Sequence, residues 1–126
     1  NEDNVSVIIP QRNVVFLSIA ASLMETLKMM VIVTGFVEDY GLVPDTNTAM
    51  RLALSSAFKE ASYNINRKPG IMAPLLGMTK KEIFQLGKDL KVKFKEEVWS
   101  CYRGEAVPCG RCLKCTFYKI ELGVTL

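Results

Sequence analysis

Apolar residues run unbroken from Met29 to Val33 and stop at Thr34-Gly35, while the flanking stretches mix apolar and polar positions at helical spacing. An uninterrupted run ended by glycine predicts a central parallel strand over Met30–Gly35. Upstream, Val5-Ser6-Val7-Ile8-Ile9-Pro10 predicts a short strand closed by its proline. Asn13 stands where an N-cap is wanted, for a helix running to about Met29. Val14, Leu17, Ala21, Met24 and Leu27 line one face of that helix, and Phe16, Ala20 and Leu23 another. Two apolar faces predict a helix that is largely buried.

Phe36 to Asn47 is rich in Asp, Gly and Pro and reads as a loop. Asn47 or Thr48 then caps a second helix through about Ser62. Pro69-Gly70 breaks the chain before a third short strand, Ile71-Met72-Ala73-Pro74-Leu75. Thr79-Lys80-Lys81-Glu82 has the form of a capping box. It opens a helix through about Leu90, amphipathic on Ile83, Phe84, Leu86 and Leu90. Lys93 to Val98 reads as extended, and a last helix spans Leu113 to Gly123. Strands and helices alternate, so the predicted fold class is α/β with a mainly parallel sheet. There is no internal repeat and no low-complexity stretch.

Composition changes this picture little. The chain has 126 residues, 49% hydrophobic and 23% charged, enough for a real core. Sixteen Lys and Arg against 13 Asp and Glu give a net charge of +3, too mild by itself to indicate nucleic acid. Much of the positive charge lies in the second half, at Lys80, Lys81, Lys88, Lys91, Lys93, Lys95, Arg103, Arg111, Lys114 and Lys119, and a solvated surface accounts for most of it. The apolar runs are too short to span a bilayer, so no membrane partner is expected. With no histidine in the chain, histidine cannot serve as base or metal ligand.

The cysteines change it most. All four lie in the last quarter, as Cys101-x7-Cys109-x2-Cys112-x2-Cys115. Four soft thiolates at this spacing suit a tetrahedral Zn²⁺ closed to substrate, hence structural. Gly110 supplies a flexible point inside one x2 step, and Pro108 stiffens the approach to Cys109. Two disulfides or an iron–sulfur cluster are the alternatives. A reduced cluster without a signal segment points to the cytoplasm. The expected division is 1–98 as an α/β portion and 99–126 as the metal-binding segment.

Several segments together resemble the 7-cyano-7-deazaguanine synthase family, nitrile-forming PP-loop ATP pyrophosphatases of queuosine and archaeosine biosynthesis. They are Ile9-Pro10-Gln11-Arg12-Asn13 with Phe16-Leu17-Ser18; Val33-Thr34-Gly35 with Glu38-Asp39-Tyr40 and Pro44-Asp45; Ala73-Pro74-Leu75 with Thr79-Lys80-Lys81-Glu82-Ile83 and Leu86-Gly87; and Trp99-Ser100-Cys101-Tyr102 with Pro108-Cys109-Gly110-Arg111-Cys112 and Cys115. The last is the most specific. The resemblance covers roughly the family's C-terminal half and implies a partial doubly wound parallel sheet of the PP-loop type, with zinc on the four cysteines. Three departures accompany it. The Ser-Gly-Gly-x-Asp-Ser phosphate loop is absent, Phe36 stands where the family carries Asn, and Tyr118 with Lys119 beside it stands where the family has Arg. Without the loop the chain alone should not turn over ATP. A piece of a longer protein and a complete small chain both remain open.

The activity implied is ATP-dependent conversion of 7-carboxy-7-deazaguanine to its nitrile, with ammonia as nitrogen source and Mg²⁺ accompanying ATP. Three residues are candidates for the chemistry. Arg12, just ahead of a helix, suits a phosphate or carboxylate. Asp39, like Asp45, lies in the loop after the apolar strand, where open α/β sheets bind ligands. Lys80 opens a helix within reach of a phosphate. A surface arginine at a helix start, turn aspartates and a solvated first-turn lysine are the ordinary alternatives. Tyr40 is a candidate purine stacker, and Trp99 is expected to pack beneath the metal loop. The rival classes are a zinc-knuckle module meeting nucleic acid through Arg103, Arg111, Lys114 and Lys119, and a PP-loop relative acting on tRNA through an unligated cysteine. Nucleic acid is not required by the first reading, and homo-oligomerisation is left open.

Overall fold

A computed structural model describes residues 9–37, 44–63, 70–121 and 123. The chain divides into two compact units, one from Ile8 to Thr79 and one carrying Lys80 to Leu126.

In the first unit the order is α1 (Arg12–Thr26), β1 (Val31–Val33), a 3₁₀ turn (Pro44–Thr46), α2 (Thr48–Ala61) and β2 (Gly70–Met72). β1 and β2 pair in parallel, with Val31 opposite Gly70, Ile32 opposite Ile71 and Val33 opposite Met72. Gly70 N–H donates to Met30 O at 3.2 Å and Thr34 N–H to Met72 O at 2.9 Å, continuing the ladder past both strand ends. α1 packs on β1 and α2 on β2, and the two helices touch, so both cover the same sheet face.

Asn47 caps α2 as expected, its Oδ1 accepting from Met50 N–H at 2.8 Å. α1 does not start as expected. Gln11 occupies the cap with φ 61° and makes no side-chain cap bond. Asn13 lies inside the helix, and its N–H donates to Asp45 Oδ2 at 3.0 Å. A carboxylate brought from 32 residues away thus serves the helix start, which also suits the positive end of the helix dipole. Nor is α1 largely buried. Leu17 and Met24 are, whereas Phe16, Leu23 and Leu27 are exposed.

β2 ends at Met72, earlier than the predicted Leu75. Pro74 has no N–H for a ladder, and Leu76 N–H to Ala73 O (3.2 Å) and Met78 N–H to Leu75 O (3.1 Å) turn the chain instead. The strand predicted over Val5–Pro10 lies largely outside the described residues; Ile9 and Pro10 are not in a strand.

The second unit carries α3 (Lys80–Asp89), α4 (Phe94–Glu97) and α5 (Leu113–Glu121). The segment predicted as extended, Lys93–Val98, contains a helical turn. Glu97 Oε2 accepts from Lys93 N–H at 3.0 Å and Lys93 Nζ lies 3.4 Å from Glu96, so local capping outweighs the alternating pattern. Phe94 packs on the buried Phe84 with ring centroids 4.5 Å apart. A Cβ added at Gly87 would lie 2.6 Å from Phe94 Cζ. Gly87→Ala is therefore expected to destabilise this unit by about 1–3 kcal/mol through forced repacking of the ring pair. A melting curve unchanged from the parent would contradict that. Among the described residues no helix is long and apolar enough to cross a membrane.

Candidate metal centre and the predicted site residues

The four cysteines come together through a loop and a helix start. Cys101 opens the loop, Gly104 and Gly110 turn it with φ of 61° and 71°, and Cys112 directly precedes α5. Cys115 falls in the first turn of α5. The four Sγ atoms all lie within 4.8 Å of one another. Tetrahedral ligation at 2.3 Å asks for sulfurs about 3.8 Å apart, so a small inward adjustment around an ion completes the site. Cys101, Cys112 and Cys115 are buried, Cys109 is half-buried, and none is in a disulfide. These residues can hold a metal ion.

The backbone is arranged for negative sulfur. Cys109 N–H and Arg103 N–H reach Cys101 Sγ at 3.4 and 3.5 Å, and Cys112 N–H reaches Cys109 Sγ at 3.3 Å. The backbone donors of Cys109 and then Arg103 hold the Cys101 thiol below its usual value. For Cys112 burial works upward, but donors from the Cys115 and Tyr102 backbone outweigh it and bring the thiol down to about 6. Cys115 is pushed up to about 12, first by burial and then by the neighbouring thiols, against a lowering contact from the Gly110 backbone. Four thiols this close cannot all ionise without a cation among them.

Trp99 lies beside this loop rather than packed beneath it. Its Nε1–H donates to Cys101 O at 3.1 Å, although half of its surface stays exposed. Lys114 Nζ sits 5.9 Å from the Tyr102 ring centroid.

The other predicted residues are dispersed. Arg12 is exposed in the first turn of α1. Lys80, in the second unit, is half-buried as the first residue of α3, its Nζ 5.3 Å from the Phe117 ring centroid. Asp39 and Tyr40 lie outside the described residues. Asp45 Oδ2 accepts from Asn13 N–H at the start of α1. Sequence reasoning did not single out Arg51 and Ser55. One helical turn apart on α2, they bind the backbone of Ile71: Arg51 Nη1 donates to its carbonyl at 2.9 Å, and Ser55 Oγ accepts from its N–H at 3.3 Å. The i, i+4 spacing was visible, but nothing in it marked a sheet edge as the target.

A small parallel α/β unit and four converging cysteines that could hold a metal ion define an α/β protein with a candidate four-cysteine metal site. Its family follows from comparison with known proteins. Residues 1–121 match the family described as queuosine biosynthesis protein QueC. The chain is 37% identical over 108 residues to a 7-cyano-7-deazaguanine synthase of Desulforamulus reducens, covering 85% of this chain and 46% of that protein. It is 37% identical over 110 residues to the synthase of Aquifex aeolicus (85% and 50%), and 36% over 124 residues to that of Trichodesmium erythraeum (93% and 55%). The chain belongs to the QueC family. It spans about half the length of the curated relatives it matches.

Proposed function

We propose that this chain is the zinc-bearing portion of a 7-cyano-7-deazaguanine synthase, converting 7-carboxy-7-deazaguanine to its nitrile with ATP and ammonia. The observation that carries this is the family match over residues 1–121, which includes the converged four-cysteine loop. The metal is structural Zn²⁺. Sulfurs within 4.8 Å of one another suit one ion, whereas a cluster, with several irons each taking a thiolate, spreads its ligands wider. Zinc held by four thiolates fixes the loop and the start of α5 and leaves no coordination position for substrate.

The reaction has to overcome a poor leaving group. The substrate carboxylate attacks the α-phosphorus of ATP, releasing pyrophosphate and forming an acyl adenylate. Ammonia then displaces AMP to give the amide. A second adenylation of the amide oxygen lets AMP leave again, with loss of protons, as the carbon–nitrogen triple bond forms. The protein's task is to hold the phosphates and offset the charge that moves during each transfer. Mg²⁺ accompanies ATP in this scheme. The sheet is completed as a doubly wound one in the whole enzyme, and the setting is cytoplasmic.

Arg12, Asp39 and Lys80 are the candidate residues in residues 1–98. The exposed Arg12 at the start of α1 is suited to meet a phosphate or carboxylate. In a protein with the family's other half restored, AMP formation should require both 7-carboxy-7-deazaguanine and ammonia. Arg12→Ala should then lower turnover or affinity about ten- to a hundredfold, the scale of one charge-assisted contact of 1.5–3 kcal/mol. Asp39→Asn should reduce substrate-dependent turnover with unchanged melting. Parental kinetics in both variants would make them ordinary helix-start and turn residues.

The nucleic-acid module fits less well. It does not account for the family match, which runs over residues 1–121 and not over the cysteine loop alone.

A further inference from the structure

The four cysteines converge, but they are not equally reachable. Cys101, Cys112 and Cys115 are 6%, 3% and 7% exposed, whereas Cys109 is half-buried. Its surroundings are open as well: residues 102–107 are exposed, Pro108 is half-buried and Gly110 is exposed. Cys115 is set within α5 and Cys112 directly precedes that helix, while Cys109 lies in irregular loop. Oxidation of a cysteine follows its thiolate character and its access. Ligation to a metal gives all four sulfurs thiolate character, so access separates them, and it selects Cys109.

Cys109 also has a partner within easy reach. All four Sγ atoms lie within 4.8 Å of one another, and Cys112 N–H donates to Cys109 Sγ at 3.3 Å. Only Gly110 and Arg111 separate the two cysteines, and Gly110 makes the turn with φ of 71°. Closing this short step moves loop atoms alone. A bond to Cys115 would pull on α5, and one to Cys101 would draw on a sulfur that the Cys109 and Arg103 N–H groups already hold.

We propose that a hydroperoxide oxidises this loop at Cys109, and that Cys112 completes the step as a disulfide that expels the metal. The expulsion rests on the zinc reading above. The Cys109 thiolate attacks one oxygen of hydrogen peroxide, the O–O bond breaks, and a sulfenic acid forms as hydroxide leaves. The Cys112 thiolate then attacks that sulfur. The S–S bond forms, the S–O bond breaks and a second hydroxide leaves. Two protons from solvent turn both hydroxides into water, so two thiolates have given two electrons to one peroxide. Cys101 and Cys115 remain as ligands, too few for a closed tetrahedral site. A dithiol reverses the step by thiol–disulfide exchange.

The test treats the zinc-loaded full chain with about one equivalent of hydrogen peroxide and needs no variant. A chromogenic chelator reads metal release, dimedone traps sulfenic acid, and mass spectrometry of alkylated peptides maps the bonds. Dimedone should mark Cys109 ahead of the other three. Without dimedone, the four free thiols should fall to about two, zinc should be lost from the chain, and Cys109 should be found linked to Cys112. Dithiothreitol with added zinc should restore both thiols and metal. The proposal is overturned by zinc retained at that dose, by first labelling of Cys101, Cys112 or Cys115, by a bond that omits Cys109 or Cys112, or by oxidation that dithiothreitol does not reverse. Each of these leaves the zinc reading standing. A chain that takes up no zinc would overturn that reading and the expulsion with it, while the mapped bond would still decide the Cys109–Cys112 pairing.

Discussion

Cys112→Ser is expected to release the metal and disorder the last quarter of the chain. Cys112 is the most buried of the four cysteines, at 3% exposure, and sits where the loop enters α5. Serine offers a hard oxygen that stays protonated at neutral pH and leaves three thiolates to hold the ion. Folding of the loop is coupled to metal affinity, on the order of 10 kcal/mol for structural zinc in small peptides. Metal analysis should fall from one zinc per chain to none, and the amide signals of 99–121 should collapse. Acid should act in the same direction on the parent. With thiolates as the proposed ligands, apparent zinc affinity falls as the pH drops, and more steeply below about 6, where the metal-free Cys112 thiol also holds its proton. At neutral pH zinc must displace the proton that Cys115 holds up to about 12, so affinity rises with pH. Four freely reactive thiols without metal in the parent, or an iron–sulfur chromophore, would refute the zinc assignment.

The second large effect is an absence of activity. The 126 residues contain no Ser-Gly-Gly-x-Asp-Ser loop, and nothing else in them offers a glycine-rich cradle for a triphosphate. Isolated, the chain should form no AMP from ATP above the background hydrolysis rate, even with substrate and ammonia present. Supplying the unmatched half should restore it. Turnover by the chain alone would place a nucleotide site within these residues and require a different family logic.

What was legible in the sequence was local. The convergence of the four cysteines could be read because they lie within fifteen residues at short spacing. α2 and its Asn47 cap, the start of α3 at Lys80 and the start of α5 at Leu113 followed from capping and periodicity. The errors arose where distant groups decide the outcome. Asp45 supplies the α1 N-terminus that Asn13 was expected to cap, and only the fold brings them together. Lys93–Val98 reads as extended until the Glu97 side chain returns to the Lys93 N–H and Phe94 finds Phe84. The apolar run of β1 does report a strand made for burial on both faces, but the described residues cover only one of them. Arg12, Asp39 and Lys80 were named from motif position, and a motif does not say which groups meet a substrate.

The most direct measurement is of the product. The chain joined to the unmatched half of the Desulforamulus reducens synthase, loaded with zinc, would be incubated with 7-carboxy-7-deazaguanine, ATP, Mg²⁺ and ¹⁵N-ammonia. Mass spectrometry should find the ¹⁵N-nitrile, with two AMP formed for each nitrile, and none when ATP is withheld. An assembly that binds zinc and folds, yet returns the carboxylate unchanged, would contradict the proposed activity.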